Sequence, residues 1–219
     1  MKKIILIFLC FFSIVIHQRC SAQHQNKIDS LLQVLRTAKE DTSKANTLNL
    51  LGKESYLTGD YEQTRKYSKE AFTICEKLNF EKGKIMAYLN TGITYFLQSN
   101  YSEALKNYLA ALAISEKIND KKNIANCNNN MGLVYTYQGN YPKALKLHFA
   151  ALKSYQEIRD TKGLINSYNN IGIIYDEQGN DSGALTAAPF ASATRRSGAA
   201  RRSFRRRDRG CDRRLFPRS

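Results

Sequence analysis

The sequence predicts an all-α fold built from helix pairs that repeat every forty residues. Three observations carry that expectation. Gly52, Gly92, Gly132 and Gly172 stand in the matching strings LGKESYLTGDY, TGITYFLQSNY, MGLVYTYQGNY and IGIIYDEQGND. Each Gly is followed after twelve residues by Thr64, Ala104, Ala144 or Ala184, and after nineteen by Ala71, Ala111, Ala151 or Ala191. Apolar residues recur at helical spacing inside each unit, as Leu164, Ile165, Tyr168, Ile171, Ile174 and Tyr175 do. A period of this size marks a stacked array, in which each unit packs on its neighbours and leaves a long open surface. Such a surface favours binding over catalysis.

The elements follow in chain order. Residues 1–22 read as a signal peptide. Lys2 and Lys3 precede an apolar run, and Cys20, Ser21 and Ala22 offer small residues at a cleavage site before Gln23. The run is short for a membrane span. The expected location is therefore periplasmic or secreted, with an uncleaved anchor in the inner membrane as the alternative. His17, Gln18 and Arg19 ahead of Cys20 disfavour a lipid-modified cysteine.

Residues 23–42 are expected to hold one amphipathic capping helix, with Ile28, Leu31, Leu32 and Leu35 on its apolar side. The array spans 43–185, divided as 43–82, 83–122, 123–162 and a truncated 163–185. First helices should end at Gly59, Ser99, Gly139 and Gly179, where glycine suits the left-handed backbone that closes a helix. Asp60, Asn100, Asn140 and Asn180 follow as caps or turns. Second helices should run from Tyr61, Tyr101 and Tyr141 to about Leu78, Ile118 and Ile158, and Pro142 stands where a helix start tolerates it. The last second helix loses its pattern after Leu185, which predicts bare apolar surface at Ile171, Ile174 and Tyr175 and self-association through that end.

Residues 186–219 differ in composition. Residues 185–219 contain eleven Arg and no Lys, whereas residues 1–184 contain four Arg and nineteen Lys. Nine of the fifteen net positive charges lie there, so the array itself is only mildly basic. The segment is expected to be disordered. A reading-frame break or joined fragment accounts for the abrupt change most simply. A basic nucleic-acid arm is the alternative, which the signal peptide opposes, so no nucleic-acid partner is expected.

The repeat resembles the tetratricopeptide repeat. The match rests on Met131, Gly132, Tyr135, Gly139, Asn140, Tyr141, Ala144 and Ala151, with Thr91, Gly92, Tyr95, Asn100, Tyr101, Ala104 and Ala111 close to it. The first unit departs at Ser55 and Thr64. The resemblance implies a right-handed solenoid of antiparallel helix pairs, about three and a half repeats, whose first helices line a concave groove. Units of forty residues, longer than is usual in the family, imply longer helices. They are similar to the exported halves of Bacteroidetes-type sensor histidine kinases and regulators. Peptide-binding adaptors share this longer form.

Chemistry is sparse. Cys75 and Cys127 have no CxxC spacing and read as packing residues, and His148 takes the register place of Tyr108, which points to a packing role. No phosphate loop, nucleophile elbow or metal-binding motif is present, so neither enzyme activity nor a cofactor or metal is expected. One constellation stands out. The registers six and three before each Gly, and one and four after it, share a helix face. The family resemblance places that face in the groove. It holds Asn46, Asn49, Lys53 and Tyr56; Met86, Leu89, Ile93 and Phe96; Asn126, Asn129, Leu133 and Thr136; and Asn166, Asn169, Ile173 and Asp176. Two readings stand side by side. Asn amides can pair with an extended peptide backbone while Met86, Leu89, Ile93 and Phe96 take an apolar anchor. Alternatively the Asn residues are a solvated face enriched by AT-rich codons. Asn90, Asn130 and Asn170 are expected to bond within their own repeats. The expected partner is a protein or peptide. The alternative is that the chain is the truncated sensor region of a kinase or regulator.

Overall fold

The computed structural model describes residues 23–179. All eight helices found there fit the expected all-α class, and the described residues contain no strand. They are α1 (23–37), α2 (Thr42–Thr58), α3 (Tyr61–Lys77), α4 (Glu81–Leu97), α5 (Tyr101–Lys117), α6 (Lys121–Tyr137), α7 (Tyr141–Glu157) and α8 (Thr161–Glu177). The signal-peptide and Arg-rich tail readings fall outside the described residues.

Seven consecutive helices of 17 residues explain the period. Five of the turns use the same few groups twice. At the end of α5, Asn119 adopts φ 54° and the N–H of Asp120 bonds back to the carbonyl of Ser115 at 2.8 Å. The Asp120 side chain then accepts from the N–H of Asn123, opening α6. One residue thus satisfies orphan carbonyls of one helix and orphan donors of the next. Asp60, Asn100, Asn140 and Asp160 do the same. Of the left-handed positions, Gly59 and Gly139 were legible as glycines, while Ser99 and Arg159 adopt φ 59° and 55° without being glycine.

The chain divides into two compact units within α4, between Asn90 and Thr91. In the first, α1 sets its half-buried Ile28, Leu31, Leu32 and Leu35 inward, and Leu35 packs on a core of Ala45, Leu48, Ala71, Ile74 and Cys75. In the second, α6 and α7 pack as a pair, with α5 against α6 and α8 against α7. Ala125, Ala151 and Tyr155 form a core there, flanked by Ile158 and Leu164. Ile171 and Ile174, expected to lie bare at the end of the array, are both 0% exposed.

The repeated Gly has a steric cause. A Cβ at Gly92 would stand 2.5 Å from the Tyr108 ring, and one at Gly132 2.7 Å from the His148 ring. Both side chains lie sixteen residues after their Gly and are fully buried. The first unit carries Ser68 in that register, and a Cβ at Gly52 would meet looser contacts, Ser68 Oγ at 3.2 Å, Asn90 Nδ2 at 3.3 Å and the Thr64 carbonyl at 3.6 Å. Ala in a helix interior is favoured over Gly by about 1 kcal/mol, while overpacking a core costs roughly 1–3 kcal/mol. Gly92→Ala should therefore lower stability by up to about 2 kcal/mol, and Gly52→Ala should leave it unchanged or raise it. Urea denaturation of the two variants checks this; the opposite order would contradict the ring-on-glycine explanation.

Candidate functional site

The interaction face expected from the sequence is only partly presented. In the first unit, Asn46 and Lys53 on α2 are exposed and Tyr56 is half-buried. Asn49 is 3% exposed. Its Nδ2 donates to the carbonyl of Gly83 at 3.0 Å, and its own carbonyl accepts from Asn90 Nδ2 at 2.8 Å. Leu89 is core and Met86 is half-buried, so the expected four-residue apolar anchor is not displayed as a set.

In the second unit, Ile93 and Phe96 on α4 are half-buried. Asn126 Oδ1 accepts from the Tyr155 hydroxyl at 2.7 Å while its Nδ2 donates to Asn123. Asn129 Oδ1 accepts from His148 Nδ1 at 3.0 Å and from Asn170 Nδ2 at 3.1 Å. These two amides are therefore committed to holding helices together. Burial pushes the Tyr155 hydroxyl up to about 12, so it remains a donor at any ordinary pH. Asn166 and Asn169 on α8 are exposed, Leu133, Thr136 and Ile173 are half-buried, and Asp176 is exposed.

The Asn ladder thus separates into two kinds. Asn46, Asn166 and Asn169 face water; Asn49, Asn126 and Asn129 serve packing. The expectation for Asn90 and Asn170 is corrected as well. Both donate across repeats, to residues 41 positions earlier. An amide buried between helices needs a partner, and the preceding first helix offers one.

The four chosen registers omitted a fifth. Residues five after each Gly lie one turn beyond the first register after it, on the same stripe. They are Leu57, Leu97, Tyr137 and Glu177, with Leu57 48% and Tyr137 52% exposed. Tyr137 packs edge-on against Phe96, ring centroids 5.2 Å apart, and Phe96 also tilts against Tyr101 at 6.0 Å. The spacing alone could have revealed this register.

Cys75 and Cys127 are fully buried, and burial pushes the Cys127 thiol up to about 12. They pack rather than react. Among the described residues no His, Cys, Asp and Glu cluster has metal-site geometry, and no helix is long and apolar enough to cross a membrane.

The tetratricopeptide repeat profile matches residues 43–117 and 123–188. The chain belongs to the tetratricopeptide repeat family. No curated protein matches it. Among solved structures, a Rap protein complexed with competence and sporulation factor is similar, with TM-score 0.69 and 16% identity over 78% of this chain and 49% of that one. The signal-transduction ATPase with a tetratricopeptide repeat sensor from Pyrococcus horikoshii gives TM-score 0.65 and 22% identity over 84% of this chain. This chain spans 28% of the ATPase. BtubC from P. vanneervenii gives TM-score 0.61 and 17% identity over 83% of this chain and 74% of that one. At these identities the likenesses establish the fold. Membership of the family supports a protein-interaction scaffold, the role typical of this fold.

Proposed function

We propose that the chain is an exported interaction scaffold that binds a peptide or partner segment on the stripe of its first helices. The observation that carries this is the pair Asn166 and Asn169, exposed beside half-buried Ile173 on α8, on a helix face that holds no catalytic group. Exposed amides offer two donors and an acceptor to an extended backbone. Export rests on the leader-like residues 1–22.

A photo-crosslinking side chain placed at Asn169 should capture a partner that the same group at Lys106, on α5, does not. Equal capture at both places would count against the face. Asn166→Ala with Asn169→Ala should weaken that capture with little change in melting temperature, because exposed amides hold no core. Equal loss of stability and capture would mean that both residues are structural. Asn129, half-buried and bonded twice, is unsuitable for this test. Exported material should have the mass of a chain beginning at Gln23.

A second reading is that the chain is the sensor region of a kinase or transcriptional regulator. It is favoured by the likeness to an ATPase whose repeat array is described as a sensor. Sequencing the gene beyond codon 180 would separate the two. A continued repeat, a membrane helix and an output domain would support the sensor.

A further inference from the structure

The solvent-facing side of two second helices carries apolar side chains that the array does not need. Leu109 on α5 and Phe149 on α7 stand seventeen residues after Gly92 and Gly132, in one register of consecutive repeats. They are 54% and 46% exposed. The residues four before and three after share their side of the helix. These are Leu105 and Leu112 on α5, both half-buried, and half-buried Leu145 and buried Leu152 on α7. The first repeat places an exposed Lys69 in the same register, on a helix of the same 17 residues. The helix pair therefore forms without an apolar residue there. One exposed Leu needs no explanation, but a register that turns apolar in two adjacent repeats marks a contact surface. Both α5 and α7 pack on α6 and run the same way, so equal registers can meet one plane.

Charge and area indicate what covers this side. Lys146 and Lys153 stand one turn before and after Phe149, and Lys106 one turn before Leu109; all three are exposed. Counted whole, α5 and α7 hold five Lys and three Glu. Glu103 lies 3.8 Å from Lys106, Glu157 is paired with Lys121 of α6 at 2.8 Å, and Glu116 stands two turns past Leu109. Lys143 lies over the Tyr135 ring, and Lys117 closes α5. The excess is positive and gathers around Phe149. The exposed parts of Leu109 and Phe149 amount to about 200 Å², whereas each side of a stable protein interface buries roughly 800 Å². That is too little for the core of a dimer. It suits a surface that needs no shape match and brings the opposite charge. Lys stems can lie along an apolar patch while their ammonium groups reach phosphates.

We propose that this side of α5 and α7 docks the chain on an anionic lipid surface, with Leu109 and Phe149 entering the headgroup layer and Lys106, Lys146 and Lys153 facing lipid phosphates. The docking is peripheral and reversible, because two side chains and a few cations fall far short of a spanning helix. It uses second helices, whereas the partner face proposed above uses first helices, so the two readings stand independently.

The chain contains no Trp, so a single introduced Trp reports its own surroundings. The test uses the full chain as Phe149→Trp and, separately, as Tyr137→Trp on the first-helix stripe. Each is mixed with phosphatidylglycerol vesicles whose acyl chains are brominated, since bromine quenches an indole only at close range. Emission of Phe149→Trp should be quenched and blue-shifted, and that of Tyr137→Trp should not. Adding Lys146→Gln with Lys153→Gln to the Phe149→Trp chain should raise the lipid needed for half-maximal quenching at least about fivefold. Salt at about 1 M, where the Debye length is about 3 Å, should abolish the quenching. Leu109→Trp is the second reporter if Phe149→Trp alters the fold. Vesicle binding with no quenching at either register position, as attraction through the Arg-rich residues 186–219 or entry of residues 1–22 would give, overturns the proposal. So does equal quenching of Phe149→Trp and Tyr137→Trp, or equal quenching by brominated phosphatidylcholine, which has no net charge. A blue shift of Phe149→Trp that grows with protein concentration and needs no vesicles assigns the surface to a second copy instead, and also overturns it.

Discussion

Removing His24 and Lys27 together should destabilise the chain by about 3 kcal/mol and release α1. The reason is one carboxylate in a core register. Two residues after each Gly stand Glu54, Thr94, Val134 and Ile174; the last three are 0% exposed and Glu54 is 1% exposed. Burial alone would raise the Glu54 carboxyl above its ordinary range. Hydrogen bonds from Lys27 Nζ and from His24 Nδ1, at 2.7 Å, outweigh it and hold the group below that range. Both donors come from α1, so the capping helix is fastened by a buried charge as well as by Leu35.

Stripping the partners from a buried charge costs roughly 3–5 kcal/mol. The low end applies here, because the His24 and Lys27 side chains are 28% and 54% exposed and water can reach the opening they leave. Hydrogen exchange of residues 23–37 should rise in parallel. Adding Glu54→Val to that double variant should recover most of the loss, since Val134 fills the same register in the third repeat. Loss of less than 1 kcal/mol in the double variant, or no recovery on adding Val, would show that the charge does not fasten α1.

Most of the architecture was legible because it is periodic. Four copies of Gly, a turn signal and two small residues define helix pairs, and the caps at Asp60, Asn100 and Asn140 were readable from type and place. Arg159, unlike Ser99, was not readable as a left-handed position from the sequence. The left-handed position is imposed by the two closing hydrogen bonds, and a repeat with both in place can hold a residue other than glycine. The candidate face was legible only as a face. Which Asn looks outward depends on how a first helix leans on the next, and a single-helix register cannot report that. Asn49 and Asn129 share a register, and both turned inward to bond neighbouring repeats. Glu54 was invisible for the opposite reason. Its partners lie 27 and 30 residues away on α1, outside the period.

The second large effect should appear in mild acid and trace to His148. Its ring is 0% exposed, stacked over Gly132 in the place Tyr108 holds over Gly92. Nδ1 lies 3.0 Å from Asn129 Oδ1, an oxygen that also accepts from Asn170, so Nδ1 carries the proton. Nε2 is then the basic nitrogen, and it is buried with no hydrogen-bonding partner. Protonating it would create an uncompensated charge and an unmet N–H in the core. Burial accordingly lowers the pKa from 6.5 to about 4. The sign follows from proton uptake. Between these values the unfolded chain binds a proton at His148 that the folded chain refuses, so stability is lost as pH falls from 6.5 toward 4. The full loss is on the order of 3 kcal/mol, with about 2 kcal/mol of it gone by pH 5, before most carboxylates titrate. His148→Tyr, which copies the second repeat, should flatten the stability profile between pH 5 and about 6.5. His148→Gln serves if the larger ring does not fit beside Asn129. Denaturant midpoints at several pH values measure the effect directly. A wild-type profile already flat over that interval, or a slope that survives both substitutions, would place the acid sensitivity elsewhere in the chain.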